Sequence, residues 1–139
     1  MSGMAGHHAG IDALLADARS RLSRITPTQA WQEVREGTAR LVDIRPAAQR
    51  AAEGEVAGVL DPWVIERNVL EWRLDPRQEA SLPGVALGDR VIVICQEGYT
   101  SSLAADSLRS IGIGRATDVV GGFAAWRDLG LPVARLRAA

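Results

Sequence analysis

The sequence predicts a three-layer α/β domain, in which helices cover both faces of a short parallel sheet. Short apolar runs rich in β-branched residues, such as Val91 to Ile94, recur along the chain and alternate with segments of helical periodicity. Continuous apolar runs are typical of parallel strands that are buried on both faces. With 139 residues, of which 47% are apolar and 24% charged, the chain is long enough for one such core.

The N-terminal part of the chain predicts two helices. In residues 11–22, apolar side chains recur at i, i+3, i+4, i+7 and i+11, which places them in one stripe along a helix. We expect this helix to pack on its own domain; contact with a partner is the alternative. Thr26 to Gln29 has the spacing of a capping box with Pro27 at the first helical position, so a second helix is expected to run to about Glu36 and to end at Gly37.

The middle of the chain predicts two strands and two helices. Residues 41–44 form an apolar run that Pro46 ends, because proline lacks the N–H that a sheet requires. A helix is expected over residues 47–53, closed by Gly54, then a brief strand near residues 59–60 and a helix over residues 65–74, which Pro76 ends. Residues 78–89 contain one proline and two glycines and are expected to form a loop.

The last third repeats the alternation of strand and helix. Val91 to Ile94 predicts a strand, residues 102–111 a helix and residues 116–120 a further strand. Gly121-Gly122 then turns the chain into a short helix around Trp126. The order of strands and helices is therefore the one expected of a parallel sheet.

Charge and cysteine content argue against several classes of function. Sixteen basic and seventeen acidic residues give a formal net charge of −1, so we expect neither nucleic acid nor a membrane as a partner. A single cysteine allows no disulfide within the chain and no dithiol redox cycle. The N-terminus lacks the features of a signal peptide, and no apolar run approaches the roughly 18 residues of a membrane span. These features predict a cytoplasmic protein.

The two histidines, His7 and His8, are adjacent near the N-terminus. No cysteine or carboxylate lies beside them in the sequence to complete a metal site. We therefore expect them to belong to a solvated tail, and we expect neither a metal ion nor a catalytic histidine base.

Cys95 is the candidate reactive residue. It follows the strand Val91 to Ile94, at the sheet edge where α/β proteins bind ligands, and the next helix directs its N-terminal N–H groups towards the sulfur. The thiolate is the nucleophile of cysteine chemistry, and a free thiol is largely protonated at neutral pH. Without a histidine base, backbone N–H groups must stabilise the anion, in a tight loop that Gly98 permits. A buried core cysteine is the alternative.

Four segments resemble, in the same order, the motifs of the single-domain rhodaneses, a family of sulfurtransferases. They are LVDIR at residues 41–45, GEVAGV at residues 54–59, VICQEGYTS at residues 93–101 and GGFAAW at residues 121–126. The resemblance spans residues 24–136, which predicts a rhodanese-like domain there. A tail and the first helix would precede it in residues 1–23, and a tail would follow it in residues 137–139.

The resemblance implies that Cys95 takes a sulfane sulfur from thiosulfate, a persulfide or a polysulfide, holds it as a persulfide and passes it to a thiol or to cyanide. The implied partners are a small sulfur donor and a thiol acceptor, with an acceptor protein as a further candidate. The resemblance implies neither a metal nor an organic cofactor. The amides expected to surround the outer sulfur belong to Gln96, Glu97, Gly98, Tyr99, Thr100 and Ser101.

Two positions depart from the family pattern. Glu55 stands where the family usually has a histidine, which we take to be structural. The loop from Gln96 to Leu103 lacks the basic residue of many thiosulfate-using members and contains Glu97. A carboxylate about 4 Å from a dianionic donor costs on the order of 1 kcal/mol in water. A less charged persulfide or polysulfide is therefore expected to be the better donor.

Preceding segments offer candidates for a positive wall of the pocket, although each is also a candidate for a surface or structural role. The candidates are Arg45, Arg50, Arg67 and Arg73, and Trp63 is a candidate for the pocket mouth. Asp43 and Arg45 are expected to make structural contacts beneath the loop.

Two other functions stand as alternatives. A phosphatase or arsenate reductase of the related kind needs a longer loop that ends in an arginine, whereas the residues five and six after Cys95 are Thr100 and Ser101. A binding or sulfur-relay module would instead present Cys95 to a partner protein. The helix of residues 11–22 would then be the docking element.

Overall fold

The computed structural model describes residues 8–134 and confirms the α/β class, with a four-stranded parallel sheet. The strands lie in the order β2-β1-β3-β4. They are β1 (Arg40–Asp43), β2 (Trp63–Val64), β3 (Val91–Ile94) and β4 (Thr117–Asp118). The α-helices of this part of the chain are α1 (Ile11–Ser20), α2 (Pro27–Arg35), α3 (Ala47–Glu53), α4 (Leu70–Leu74), α5 (Thr100–Ser110) and α6 (Gly122–Asp128). His7 and the predicted tail at residues 137–139 lie outside the described residues.

Apolar clusters on both faces of the sheet confirm the three layers. Successive side chains of a strand point to opposite faces. Along β3, Val93 packs in one cluster with Leu108 of α5, whereas Ile92 packs in the other with Trp126 of α6. All four side chains are fully buried. No helix between residues 8 and 134 has the length and apolar character needed to cross a membrane.

Helix α1 packs on its own domain, against α5. Leu15 and Ala18 are buried in this contact. Arg21, just after the helix, donates hydrogen bonds to Asp17 of α1 and, at 2.8 Å, to Asp106 of α5. The Arg21 guanidinium, together with the ring of His8, holds the pKa of the Asp17 carboxyl below its usual value. Leu15, Ala18 and Leu22 of the predicted apolar stripe are therefore used within the domain, whereas Ile11 and Leu14 are exposed.

Helix α2 begins at the capping box that the sequence predicts. Thr26 Oγ1 accepts a hydrogen bond from the N–H of Gln29 at 3.1 Å, and Gln29 Oε1 accepts one from the N–H of Thr26 at 2.9 Å. Pro27 is the first helical residue. The predicted capping box is confirmed, because both of its hydrogen bonds form between residues three apart.

The middle of the chain differs from the prediction in where its second strand lies. Residues 58–60, predicted to contain a brief strand, form a 3-10 turn in which Val59 is 88% exposed. The strand beside β1 is β2, which pairs Trp63 with Val42 and Val64 with Asp43. The Arg40 guanidinium also stacks 4.2 Å from the Trp63 ring and donates to Asp61 at 2.8 Å. The predicted helix over residues 65–74 is shorter, a 3-10 turn at Arg67–Val69 followed by α4.

Candidate functional site around Cys95

Cys95 lies directly after β3, at the carboxyl edge of the sheet, and is 4% exposed. Its sulfur accepts hydrogen bonds from the N–H of Gly98 at 3.2 Å and from the N–H of Ser101, in the first turn of α5, at 3.3 Å. Backbone N–H groups that converge on one atom stabilise a negative charge there. The segment of residues 95–101, called the Cys95 loop below, therefore suits an anionic sulfur.

The conformation of the Cys95 loop depends on Gly98. Its φ is +85°, in the left-handed region that favours glycine. A Cβ at this position would lie 2.7 Å from the backbone nitrogen of Gly121 and 3.1 Å from the carbonyl oxygen of Val119. A side chain would therefore separate the loop from the turn that precedes α6.

The N-terminus of α6 holds the backbone of the same loop. The N–H of Phe123 donates to the carbonyl oxygen of Cys95 at 2.8 Å, and that of Ala124 donates to the carbonyl oxygen of Gln96 at 2.9 Å. The two helices that follow β3 and β4 thus both begin at this loop: α5 directs an N–H at the sulfur, and the N–H groups of α6 bind two carbonyl oxygens. The GGFAAW segment that the sequence singled out forms this contact.

Most of the remaining loop amides are free for another acceptor. Within residues 8–134, the N–H groups of Gln96, Glu97, Tyr99 and Thr100 have no hydrogen-bond acceptor. The side chains of Glu97 and Tyr99 are exposed, Tyr99 by 60%. Further N–H donors are therefore available to solvent or to an atom bound to the sulfur.

Asp118 of β4 is a buried carboxylate behind the loop that the sequence analysis missed. It accepts hydrogen bonds from the Ser101 hydroxyl at 2.7 Å, from the Ser102 hydroxyl at 2.8 Å and from Arg24 at 2.9 and 3.1 Å. Its side chain is 0% exposed. An aspartate inside an apolar strand was a usable signal, because a buried charge requires partners.

Arg19 and Arg24 reach the Cys95 loop from the N-terminal segment. The guanidinium of Arg19 donates to the carbonyl oxygen of Gly98 at 2.7 Å, and that of Arg24 donates to the same oxygen at 2.9 Å. Arg24 is positioned because Ile25 pairs with Val119 beside β4. Neither arginine was predicted, since no sequence motif relates residues that are more than 70 positions apart.

Arg45 lies beneath the loop and is not part of a pocket wall. Its side chain is 0% exposed and forms an ion pair with Asp43 at 2.7 Å. It also donates to Gln96 Oε1 at 3.0 Å and to the carbonyl oxygen of Gly54, and its guanidinium lies 4.1 Å from the ring of Phe123. These contacts are the structural ones expected for Asp43 and Arg45, and they leave no face of Arg45 for a donor molecule.

Two of the other arginines named for the wall are engaged by neighbouring carboxylates. Arg50 pairs with Glu55 at 2.8 Å, so the residue at the family's histidine position takes part in an ion pair. Arg67 pairs with Glu71 at 2.8 Å. Burial alone would raise the pKa of Glu71, but the Ser107 hydroxyl and the Arg67 guanidinium hold it below its usual value.

Trp63 and Arg73 line cavities that include no residue of the Cys95 loop. Trp63 stacks on Arg40, at the amino end of β1, and lines a cavity of about 390 Å³ there with Gly37 and Pro83. Arg73 donates to the carbonyl oxygen of Ala80 and lines a second cavity that also includes Trp63. Neither side chain has a hydrogen bond or a ring contact with the Cys95 loop in residues 8–134, so their place at the pocket wall or mouth stays a prediction.

The described residues contain no cluster suited to a metal ion. No group of three or more histidine, cysteine, aspartate or glutamate side chains lies together between residues 8 and 134. The ring of His8 contacts Asp17, with 3.2 Å between Nε2 and Oδ2.

Comparison with known proteins gives a family match. Residues 26–129 match the model of the rhodanese-like domain family. Among curated proteins, adenylyltransferase and sulfurtransferase MOCS3-2 of Zea mays is 35% identical over 86 residues, which is 62% of this chain and 17% of the maize protein. The chain thus spans less than a fifth of the length of the curated relatives it matches.

Solved structures share the fold over most of the chain. A Rhodopseudomonas palustris protein, described as a possible tyrosine phosphatase, is 28% identical with a TM-score of 0.80 and covers 96% of this chain and 98% of its own. The polysulfide-sulfur transferase homodimer of Wolinella succinogenes is 24% identical with a TM-score of 0.72, covering 89% of this chain and 87% of its own.

Proposed function

Because the chain belongs to the rhodanese-like domain family, we propose that it is a sulfurtransferase that carries sulfur as a persulfide on Cys95. The observation that supports this best is the sulfur itself, which accepts two backbone N–H groups at 3.2 and 3.3 Å within a loop that offers further amide donors. This arrangement stabilises negative charge without a base or a metal. It suits a thiolate and equally a persulfide anion one atom longer.

The proposed transfer has two steps. The Cys95 thiolate attacks the outer sulfur of the donor; the donor's S–S bond breaks, and its leaving group departs with the electron pair. The new S–S bond on Cys95 is then attacked by an acceptor thiolate at its outer sulfur, and Cys95 leaves as the thiolate. The loop amides of Gly98 and Ser101 stabilise the anionic sulfur at the start and at the end of this cycle.

Intact mass spectrometry tests the first step. After incubation with an alkyl persulfide and removal of the excess, the wild-type chain is expected to gain the mass of one sulfur atom. Cys95→Ser should show no gain, because the chain has no other cysteine. Addition of an excess of acceptor thiol should return the wild-type mass to its starting value. A wild-type chain that gains no sulfur from either an alkyl persulfide or thiosulfate would rule out the proposed function.

Glu97 supports a preference for donors of low charge. Its side chain is exposed in the Cys95 loop, and no cation between residues 8 and 134 lies within ion-pair distance of it. Repulsion at about 4 Å is worth on the order of 1 kcal/mol, or about a fivefold change in rate. We therefore propose that an alkyl persulfide is a better donor than the thiosulfate dianion.

Steady-state kinetics on both donors test this preference. Glu97→Gln is expected to raise kcat/KM about fivefold for the thiosulfate dianion and only about twofold for the singly charged alkyl persulfide, because the repulsion scales with the charge of the donor. Glu66→Gln, a change of the same kind in a carboxylate outside the loop, serves as the control. A lower KM for thiosulfate than for the alkyl persulfide in the wild-type chain would contradict the preference.

The two alternative functions have less support. A phosphatase needs an arginine at the end of the loop to grip an oxyanion, and Ser101 lies there with its hydroxyl bound to Asp118. The arginines near the loop bind the carbonyl oxygen of Gly98 and are not directed by any contact towards the sulfur.

A pure docking role for α1 is less favoured because Leu15 and Ala18 are buried within the domain.

A further inference from the structure

Two guanidinium groups share one carbonyl oxygen of the Cys95 loop. Arg19 Nη2 lies 2.7 Å and Arg24 Nη2 lies 2.9 Å from the oxygen of Gly98, whose own N–H donates to the Cys95 sulfur. Both arginines precede residue 26, where the match to the family model begins. A segment outside the matched domain thus contacts the residue that binds the sulfur.

The two arginines differ in how they are held. Arg24 is paired with the buried carboxylate of Asp118, which neutralises its charge. Arg19 donates to the Ser102 hydroxyl at 3.0 Å, lies 5.6 Å from the ring of Tyr99 and forms no ion pair with any carboxylate in residues 8–134. Arg19 is therefore the guanidinium whose positive charge is not compensated locally.

We propose that Arg19, on helix α1, is a positioning residue for the Cys95 loop that also strengthens the loop's amide donors. A cation on the Gly98 oxygen polarises the peptide between Gly98 and Tyr99, which makes the N–H of Tyr99 a stronger donor. That N–H has no acceptor in the described part of the chain and lies beside the sulfur-binding amides. The contact of Arg19 with the Gly98 oxygen thereby contributes to the reactivity of Cys95. An effect of Arg19 on sulfur transfer rests on the function proposed above. An effect of Arg19 on the reactivity of the Cys95 thiol is independent of that function.

Arg21, two residues further along the chain at the end of α1, provides a matched control. Its guanidinium anchors α1 to α5 through Asp17 and Asp106 and makes no hydrogen bond to the Cys95 loop. Removal of Arg21 weakens the docking of α1 without touching the Gly98 oxygen. Removal of Arg19 removes one hydrogen bond to the Gly98 oxygen and leaves the ion pairs of Arg21 in place.

The test compares Arg19→Ala, Arg19→Gln, Arg19→Lys and Arg21→Ala in the full chain. The first readout is the rate of alkylation by iodoacetamide at pH 7, which reports on Cys95 alone because the chain has one cysteine. Arg19→Ala and the neutral Arg19→Gln are expected to react about fivefold more slowly than wild type. Arg19→Lys, which keeps the charge, and Arg21→Ala should remain within about twofold of wild type.

Two further readouts separate this role from a purely structural one. The 15N–1H signal of Tyr99 should move upfield in Arg19→Gln and stay near its wild-type position in Arg19→Lys. Circular dichroism should show that each variant is folded; if Arg19→Ala is not, Arg19→Gln and Arg19→Lys still give the comparison. Equal slowing in Arg19→Gln and Arg21→Ala, or full reactivity in Arg19→Gln, would overturn the proposal.

The sulfur-transfer arm distinguishes failure of this proposal from failure of the proposed function. If wild type gains sulfur and Arg19→Gln gains it about fivefold more slowly, both are supported. If wild type gains no sulfur, the proposed function fails, whereas the alkylation rates still decide the role of Arg19. If the rate of sulfur uptake is the same in wild type, Arg19→Gln and Arg19→Lys, and alkylation is unchanged as well, only the role of Arg19 is refuted.

Discussion

Gly122→Ala is expected to lower the free energy of unfolding by about 3 kcal/mol and to slow the reaction of Cys95. Gly122 has a φ of +60°, and a Cβ on it would lie 2.5 Å from the carbonyl oxygen of Cys95 and 2.8 Å from the carbonyl carbon of Gln96. The carbonyl groups of Cys95 and Gln96 cannot move freely, because their oxygens accept hydrogen bonds from the N–H groups at the start of α6. The methyl group would therefore displace either α6 or the Cys95 loop.

Gly37→Ala is the matched control for this substitution. Gly37 has a similar φ of +76°, but a Cβ on it would meet no atom within 4 Å. In Gly37→Ala, the free energy of unfolding should fall only by the cost of the left-handed backbone, about 1 kcal/mol. The rate of Cys95 alkylation should be unchanged. Urea unfolding and iodoacetamide alkylation of both variants give the comparison. Equal losses of stability in the two variants would show that the close contact of Gly122 with the Cys95 loop contributes little to the free energy of unfolding.

Asp118→Ala is expected to be the most destabilising change at the site, by about 3–5 kcal/mol. The carboxylate is fully buried and accepts hydrogen bonds from Arg24 and from the hydroxyls of Ser101 and Ser102. Its removal leaves a guanidinium and two hydroxyls without their acceptor, and breaking a buried ion pair on one side is costly because the remaining charge is uncompensated. We also expect slower sulfur uptake, since Ser101 binds the sulfur through its N–H.

An exposed ion pair provides the control for Asp118. Glu53 contacts Arg127 at 3.2 Å with both side chains at least 40% exposed, and Glu53→Ala should change the free energy of unfolding by less than about 1 kcal/mol. Asp118→Asn keeps the shape of the side chain but exchanges one acceptor oxygen for a donor. Its loss of unfolding free energy should therefore lie between those of Glu53→Ala and Asp118→Ala. Chemical denaturation monitored by tryptophan fluorescence measures all three. A loss below about 1 kcal/mol for Asp118→Ala would contradict the importance of this buried network.

Elements defined by contacts close in sequence were predictable. The capping box at Thr26 depends on residues three positions apart, and the strand before Cys95 depends on one apolar run. The amide donors around Cys95 were also foreseen, because a strand followed by a glycine-containing loop and a helix leaves N–H groups at that point. The brief strand near residues 59–60 was wrong, because a strand exists only where a neighbour pairs with it, and β1 pairs with Trp63–Val64.

The sequence by itself determined the fold class and the family resemblance, and it named Cys95 as the candidate reactive residue. These follow from periodicity, turn residues and local motifs, which act over a few positions. Only the tertiary structure decided that Asp118 binds Arg24, that Arg19 and Arg24 meet at the oxygen of Gly98, and that Arg45 is buried below the loop. The partner of a charged side chain is chosen by what the sheet order and helix packing bring within reach, and that choice leaves no periodic trace in the sequence.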